Sequence, residues 1–219
     1  MMFSKVTLMN GQIIRQRDAE RTRSELLSVA TEVFADSGYS GARIDEIARR
    51  TRTTKRMIYY YFGGKEQLYL AVLEAAYRGI RQAERELRID ELNPTDALRQ
   101  LTELTFEHHR ENGDFIRLVA IENIHRGNFI RQIESLRDLN QPALNLLDEI
   151  LDRGRQQGCF RDDVDALDVH LLISSYCVFQ VANTYTFGYL FGRDLQDEAN
   201  RSRLRRMIGD VVVSWLTDH

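Results

Sequence analysis

Only two prolines, Pro94 and Pro142, and 13 glycines are found among the 219 residues of this chain. Folds of many short strands need turn residues about every 8–12 positions, so this scarcity excludes a sandwich or barrel and favours long helices. Cysteine is nearly absent too. Cys159 and Cys177 are too few for a disulfide framework, and a reducing cytoplasm is the expected compartment. The opening Met-Met-Phe-Ser-Lys-Val-Thr-Leu-Met-Asn lacks an apolar core followed by a cleavage site, so it does not read as a secretory signal. Charge is missing altogether from residues 169–192, a stretch of membrane-like length. It nevertheless carries His170, Gln180, Asn183 and several hydroxyls, which are costly in hydrocarbon, and it reads as a helix buried among other helices rather than a membrane span.

What is present is an uneven distribution of charge. The formal net charge is only -3, but residues 1–64 hold 11 Lys and Arg against 7 Asp and Glu, whereas the remainder holds 19 against 26. A basic front and an acidic back point to two parts with different partners. The length suits one sizeable domain, or a small one joined to a larger one.

Apolar spacing predicts an all-α chain. Residues 1–18 lack periodicity and read as a flexible basic arm carrying Lys5, Arg15 and Arg17. From Ala19 to Ser37, Leu26, Leu27, Ala30, Val33 and Phe34 recur at three- and four-residue steps, and Gly38 stops that helix. A short helix over Arg43–Thr51 turns Ile44, Ile47 and Ala48 inward. Thr53 or Thr54 then offers a capping oxygen for a third helix ending at Phe62 before Gly63, and a fourth runs from Lys65 to about Arg88 with Leu68, Ala71, Val72, Ala75 and Ala76 inward. Further helices are expected over 94–109, 114–125, 141–157, 164–191 and 197–217, with a short piece over 128–135. Three short or medium helices joined by tight turns have the layout of a helix-turn-helix unit, expected over 19–66, followed by a larger helical domain over 67–219.

On a helix from Lys55 to Phe62, Ile58, Tyr61 and Phe62 share one face, and Lys55, Arg56, Tyr59 and Tyr60 share the other. Three adjacent tyrosines span about 200° of a helix, so they cannot all be core. Cations suit phosphates and guanine edges; phenol hydroxyls reach phosphate while their rings meet sugar or thymine methyl. Lys65 opens the fourth helix, where free backbone N–H groups also favour an anion. The run from Gly38 to Leu68, with Ile47-Ala48, Ile58-Tyr-Tyr-Tyr-Phe62 and Lys65-Glu-Gln-Leu68, resembles the DNA-binding domain of the TetR family of bacterial transcriptional repressors. The likeness extends over about Arg21 to Leu73. It implies that Thr54, Lys55, Tyr59, Tyr60 and Lys65 contact double-stranded DNA; Arg43, Thr53 and Arg56 are further candidates. It departs from the family in two places: Ala42 stands at the usual Thr or Ser cap of the second helix, and Arg52 replaces the usual turn glycine.

Recognition helices docking about one DNA turn apart on a palindromic operator require a symmetric homodimer. Leu171, Leu172, Ser175, Val178, Phe179 and Ala182 form one broad face for it, and Leu204, Met207, Ile208, Val211, Val212, Trp215 and Leu216 form another. The resemblance implies a four-helix interface from these two faces. For a small-molecule effector, the mixed aromatic, apolar and ionisable set Phe106, His109, Phe115, Leu118, Ile121, Glu122, His125 and Tyr176 is the expected lining. His108, His109, Glu122 and His125 do not have metal-ligand spacing, so neither a metal nor another cofactor is expected. Cys177 reads as packing rather than as a redox sensor. The two other readings are a helical enzyme, for which no nucleophile–base pair has recognisable spacing, and a DNA-binding protein without an effector.

Overall fold

The computed structural model describes the backbone from Met2 to Thr217 and side chains from Arg17 onward. Among the described residues there are helices and no strands: α1 (Met2–Gly41), α2 (Ile44–Arg50), α3 (Lys55–Phe62), α4 (Lys65–Arg85), α5 (Pro94–Glu111), α6 (Gly113–Ile124), α7 (Ser135–Gln156), α8 (Ala166–Ala182), α9 (Thr184–Phe191) and α10 (Glu198–Thr217). One-turn 3₁₀ segments cover Ile89–Glu91 and Ile130–Gln132. The backbone of the segment expected as an arm is helical from Met2 onward, and its side chains before Arg17 lie outside the described residues. Gly38 interrupts α1 with φ 65 and ψ 174, values that glycine adopts without steric cost. The chain forms two compact units, Met1–Leu73 and Glu74–His219.

In the first unit, Leu26, Ala30, Val33 and Phe34 of α1 are buried together with Ile47 and Ala48 of α2, Ile58 and Phe62 of α3, and Leu68 and Val72 of α4. Each large side chain so removed from water contributes roughly 1.5–3 kcal/mol before the cost of ordering it. Tyr69, which the apolar pattern did not single out, is fully buried and meets Phe34 edge-on at 4.8 Å and Tyr39 at 5.3 Å between centroids. Ala75, expected inward, is exposed. The α2–α3 turn is closed by the Thr51 hydroxyl donating to the Ile47 carbonyl at 2.7 Å and by the Thr53 N–H donating to the Ala48 carbonyl at 2.9 Å.

In the second unit α5 packs on α10, α8 and α7 around Leu98, Leu101, Phe106, Leu147, Ile150, Val169, Ile173, Ile208 and Val212. Asn93 starts α5 by accepting the Asp96 N–H at 2.9 Å, with Pro94 in the first turn as expected. Helix α7 begins at Ser135 instead of Gln141 and carries Pro142 inside it. An internal proline costs about 3 kcal/mol, but Leu136 lies on the buried stripe of Ala143, Leu147 and Ile150, and packing carries the helix through. The single long helix expected over 164–191 is two. Asn183 leaves helical geometry at φ -107, ψ 9, and its carbonyl accepts the Phe187 N–H at 2.9 Å to start α9. No helix among the described residues is long and apolar enough to cross a membrane.

Candidate nucleic-acid interface and effector cavity

Helix α3 owes its position to a cap at each end. The Thr54 hydroxyl accepts the Met57 N–H at 3.4 Å, and Gly63 ends the helix in the left-handed region at φ 85. Ile58 is fully buried, whereas Tyr59 is 52% and Tyr60 77% exposed. Tyr61 is half-buried, edge-on to Tyr60 at 5.3 Å and tilted on Phe62 at 6.4 Å. The Arg23 guanidinium covers the Phe62 ring at 5.1 Å. One tyrosine of the three therefore packs and two stand in solvent.

The surrounding cations are partly engaged. Lys55 is exposed and pairs with Asp45, and Arg56 is exposed beside it. Thr53 is half-buried and Thr54 exposed. Lys65 is half-buried with Nζ 4.8 Å from the Tyr39 ring centroid, and burial lowers its pKa. The cap position of α2, which the sequence assigned to Ala42, belongs to Arg43; Ala42 is buried, and exposed Arg43 supplies no side-chain acceptor to the helix. Arg52 is exposed and adopts the left-handed conformation that a glycine would hold freely, φ 51. Along α3, then, one side offers Lys55, Arg56, Tyr59 and Tyr60 within about 140° of arc at 100° per residue. A surface with cations and phenols on one helical face is suited to phosphate, sugar and base edges together.

The second unit contains a cavity of about 210 Å³. Helix α4 lends it Tyr77, Ile80 and Arg81; α5 lends Thr105 and His109; α6 lends Phe115, Ile116 and Val119; α7 and α8 add Asn140, His170, Ser174 and Val178. Arg81 is only 6% exposed. Its Nη1 lies 3.0 Å from the Glu84 carboxylate, and its Nε has no hydrogen-bond partner. Burial pushes the Glu84 carboxyl up to about 7 against the opposing pull of Arg81. Burial first, then the neighbouring His108, pushes His109 down to about 4, against the raising effect of a hydrogen bond to the Thr105 backbone. His170, its pKa likewise lowered chiefly by burial, has Nε2 3.5 Å from the Ser174 hydroxyl. Phe115 stands edge-on to Tyr77 at 5.1 Å and to His109 at 5.6 Å. A more open groove of about 580 Å³ shares Tyr77 and Asn140 with the cavity and is flanked by Arg131, Glu134 and Arg137.

Of the expected lining residues, His109 and Phe115 reach the cavity. Phe106 and Leu118 are in the core, and the Tyr176 hydroxyl donates to the Leu204 carbonyl at 3.3 Å. Glu122 is buried, where it accepts the Phe129 and Ile130 N–H groups at 3.2 and 3.0 Å and so holds the loop after α6. Ile121 is half-buried and His125, at the C-terminal cap of α6, is exposed. Tyr77, Arg81, Asn140, His170 and Ser174 also line the cavity and were not expected there. A signal existed for Arg81: Tyr77, Ile80, Arg81 and Glu84 follow core spacing along α4, so a charged pair falls where apolar residues belong. Cys177 is buried with its thiol pushed up to about 12 by burial, an inert packing group. Among the described residues no three His, Cys, Asp or Glu side chains converge as a metal site.

Comparison with known proteins follows the same division. The family described as "Bacterial regulatory proteins, tetR family" matches residues 26–72, and "Tetracyclin repressor-like, C-terminal domain" matches residues 94–212. The HTH-type transcriptional repressor NicS of Pseudomonas putida is 36% identical over 203 residues, 93% of this chain and 96% of its own. The HTH-type transcriptional repressor SCO4008 of Streptomyces coelicolor is 25% identical over 72% of this chain and 77% of its own. Among solved structures, a linker-substituted mutant of HlyIIR superposes with a TM-score of 0.66 at 25% identity, covering 92% of this chain and 98% of that one. The chain belongs to the TetR family of bacterial regulatory proteins.

Proposed function

We propose that the protein is a cytoplasmic, homodimeric repressor that binds a palindromic DNA operator and is released by a small-molecule effector. The observation that carries the reading is the division of α3: Ile58 buried at 0% exposure while Tyr59 and Tyr60 stand in solvent beside Lys55 and Arg56. An isolated domain gains nothing from exposing two adjacent phenols on a capped, well-anchored helix; a nucleic-acid partner supplies the reason. Thr53, Thr54, Arg43 and Lys65 flank this surface, and we assign them to phosphate and sugar contacts. Family membership supports the sign of regulation, since the relative that matches nearly the whole chain is named a repressor.

The effector site in this reading is the cavity of the second unit, with His109 and Phe115 in its wall. Helix α4 carries Lys65 in its first turn and Tyr77, Ile80 and Arg81 at the cavity. A ligand that binds one placement of this helix better than another shifts the population between DNA-competent and DNA-incompetent forms by its differential affinity. Footprinting on the promoter region of its own gene at low salt is the test. Two protected half-sites about 34–36 Å apart, centre to centre, are expected; absence of a protected palindrome would overturn the proposal.

A further inference from the structure

We propose that the cavity takes a small organic monocarboxylate, its carboxylate on the Arg81 guanidinium and its apolar body between Tyr77 and Phe115. This rests on reading the cavity as the effector site. The first ground is the arginine. Arg81 is 6% exposed, Nη1 is occupied by Glu84, and the Nε–H has no acceptor. A buried donor without an acceptor carries its full desolvation cost, and a carboxylate is the acceptor whose geometry suits a guanidinium edge. Ser174, with His170 3.5 Å from its hydroxyl, and the His109 imidazole add polar groups to the same cavity.

Charge sets the valence. Glu84 already balances Arg81, so an incoming monoanion is compensated by one proton on Glu84, whose carboxyl is pushed up to about 7 by burial. A dianion brings a second negative charge for which the lining holds no second permanent cation. Size sets the body. On the scale in which a cavity of about 150 Å³ takes benzene, 210 Å³ takes a body of roughly eight to ten non-hydrogen atoms. Phe115 and Tyr77, edge-on at 5.1 Å, form an aromatic wall for its apolar part. The adjoining groove has Arg131 and Arg137 against the single acid Glu134, a local excess of positive charge that draws anions toward the cavity.

Isothermal titration of the full-length protein tests this with benzoate and hexanoate, their amides benzamide and hexanamide, phenyl phosphate, and dodecanoate. At least one short acid is expected to bind roughly tenfold more tightly than its amide, the scale of a charge-assisted bond in a buried site. Phenyl phosphate and dodecanoate are expected to bind more weakly than that acid. The double variant Arg81→Gln, Glu84→Gln removes the charge pair while leaving polar side chains at both positions, and should erase the acid-over-amide preference. Val178→Trp fills the cavity and should abolish binding of acid and amide alike; it decides the location if the double variant does not fold. Equal binding of acid and amide, preference for phenyl phosphate or dodecanoate, binding that survives Val178→Trp, or no heat from either short acid would each overturn the assignment. Footprinting separates the two readings: acid binding with no operator protected in any condition sinks the regulatory reading alone, and a protected operator without acid binding sinks the carboxylate alone.

Discussion

Tyr60 and Arg52 show how much of a role is decided by a single side chain's surroundings. Tyr60 is 77% exposed, and its ring is held edge-on by Tyr61, so its hydroxyl is presented outward without being committed to the protein. Tyr60→Phe keeps the ring and removes only that hydroxyl. Operator affinity should fall roughly five- to tenfold, about 1 kcal/mol for one hydrogen bond, with the circular dichroism and oligomeric state unchanged. Unaltered affinity across a salt titration would remove Tyr60 from the interface. Arg52 sits at φ 51, a conformation that costs a non-glycine residue roughly 1–2 kcal/mol. Glycine brings an extra chain-entropy cost of about 0.5–1 kcal/mol, so Arg52→Gly should stabilise the fold by about 0.5–1 kcal/mol in urea unfolding. A lower midpoint would mean that the Arg52 side chain holds the turn through contacts that outweigh its backbone strain.

Helix by helix, local signals were legible where capping chemistry is sequential. Thr54, Gly63, Asn93 and Gly38 ended or began helices where their residue types require. They failed where packing overrode them. Pro142 resembles a helix start, yet α7 passes through it because Leu136 belongs to the buried stripe. The apolar run over 169–192 hides the break at Asn183, since hydropathy does not register a change of direction. Near its end α7 carries another tertiary constraint: a Cβ on Gly154 would lie 1.9 Å from the Phe160 ring. Glycine is needed here for close approach, not for a positive φ. Gly154→Ala should therefore cost about 1–3 kcal/mol by overpacking, seen as a reduced urea midpoint. An unchanged midpoint would show that the Phe160 ring relocates without loss.

For the whole molecule, the decisive division lies between apolar surfaces buried within the second unit and apolar surfaces left exposed on it. The sequence assigned one continuous apolar face to each of the last two long helices. Leu204, Ile208, Val212 and Leu216 of α10 are instead buried within their own unit, whereas Met207 and Val211 are exposed; on α8, Leu171 is 63% exposed and Phe179 is exposed with it. The exposed subset is the proposed dimer face. Leu171→Glu with Val211→Glu should give a monomer in sedimentation, with helicity retained because both positions are solvent-facing in the protomer, and operator binding should be lost. A dimer that persists would move the interface elsewhere. All-α architecture, the helix-turn-helix segment and the outward tyrosines were readable in the linear order, because helical period, caps and turn residues act over three or four positions. The cavity was readable only at His109 and Phe115. Five helices supply its lining, and Arg81, His170 and Ser174 come together there only when packing brings distant segments together and strips them of water.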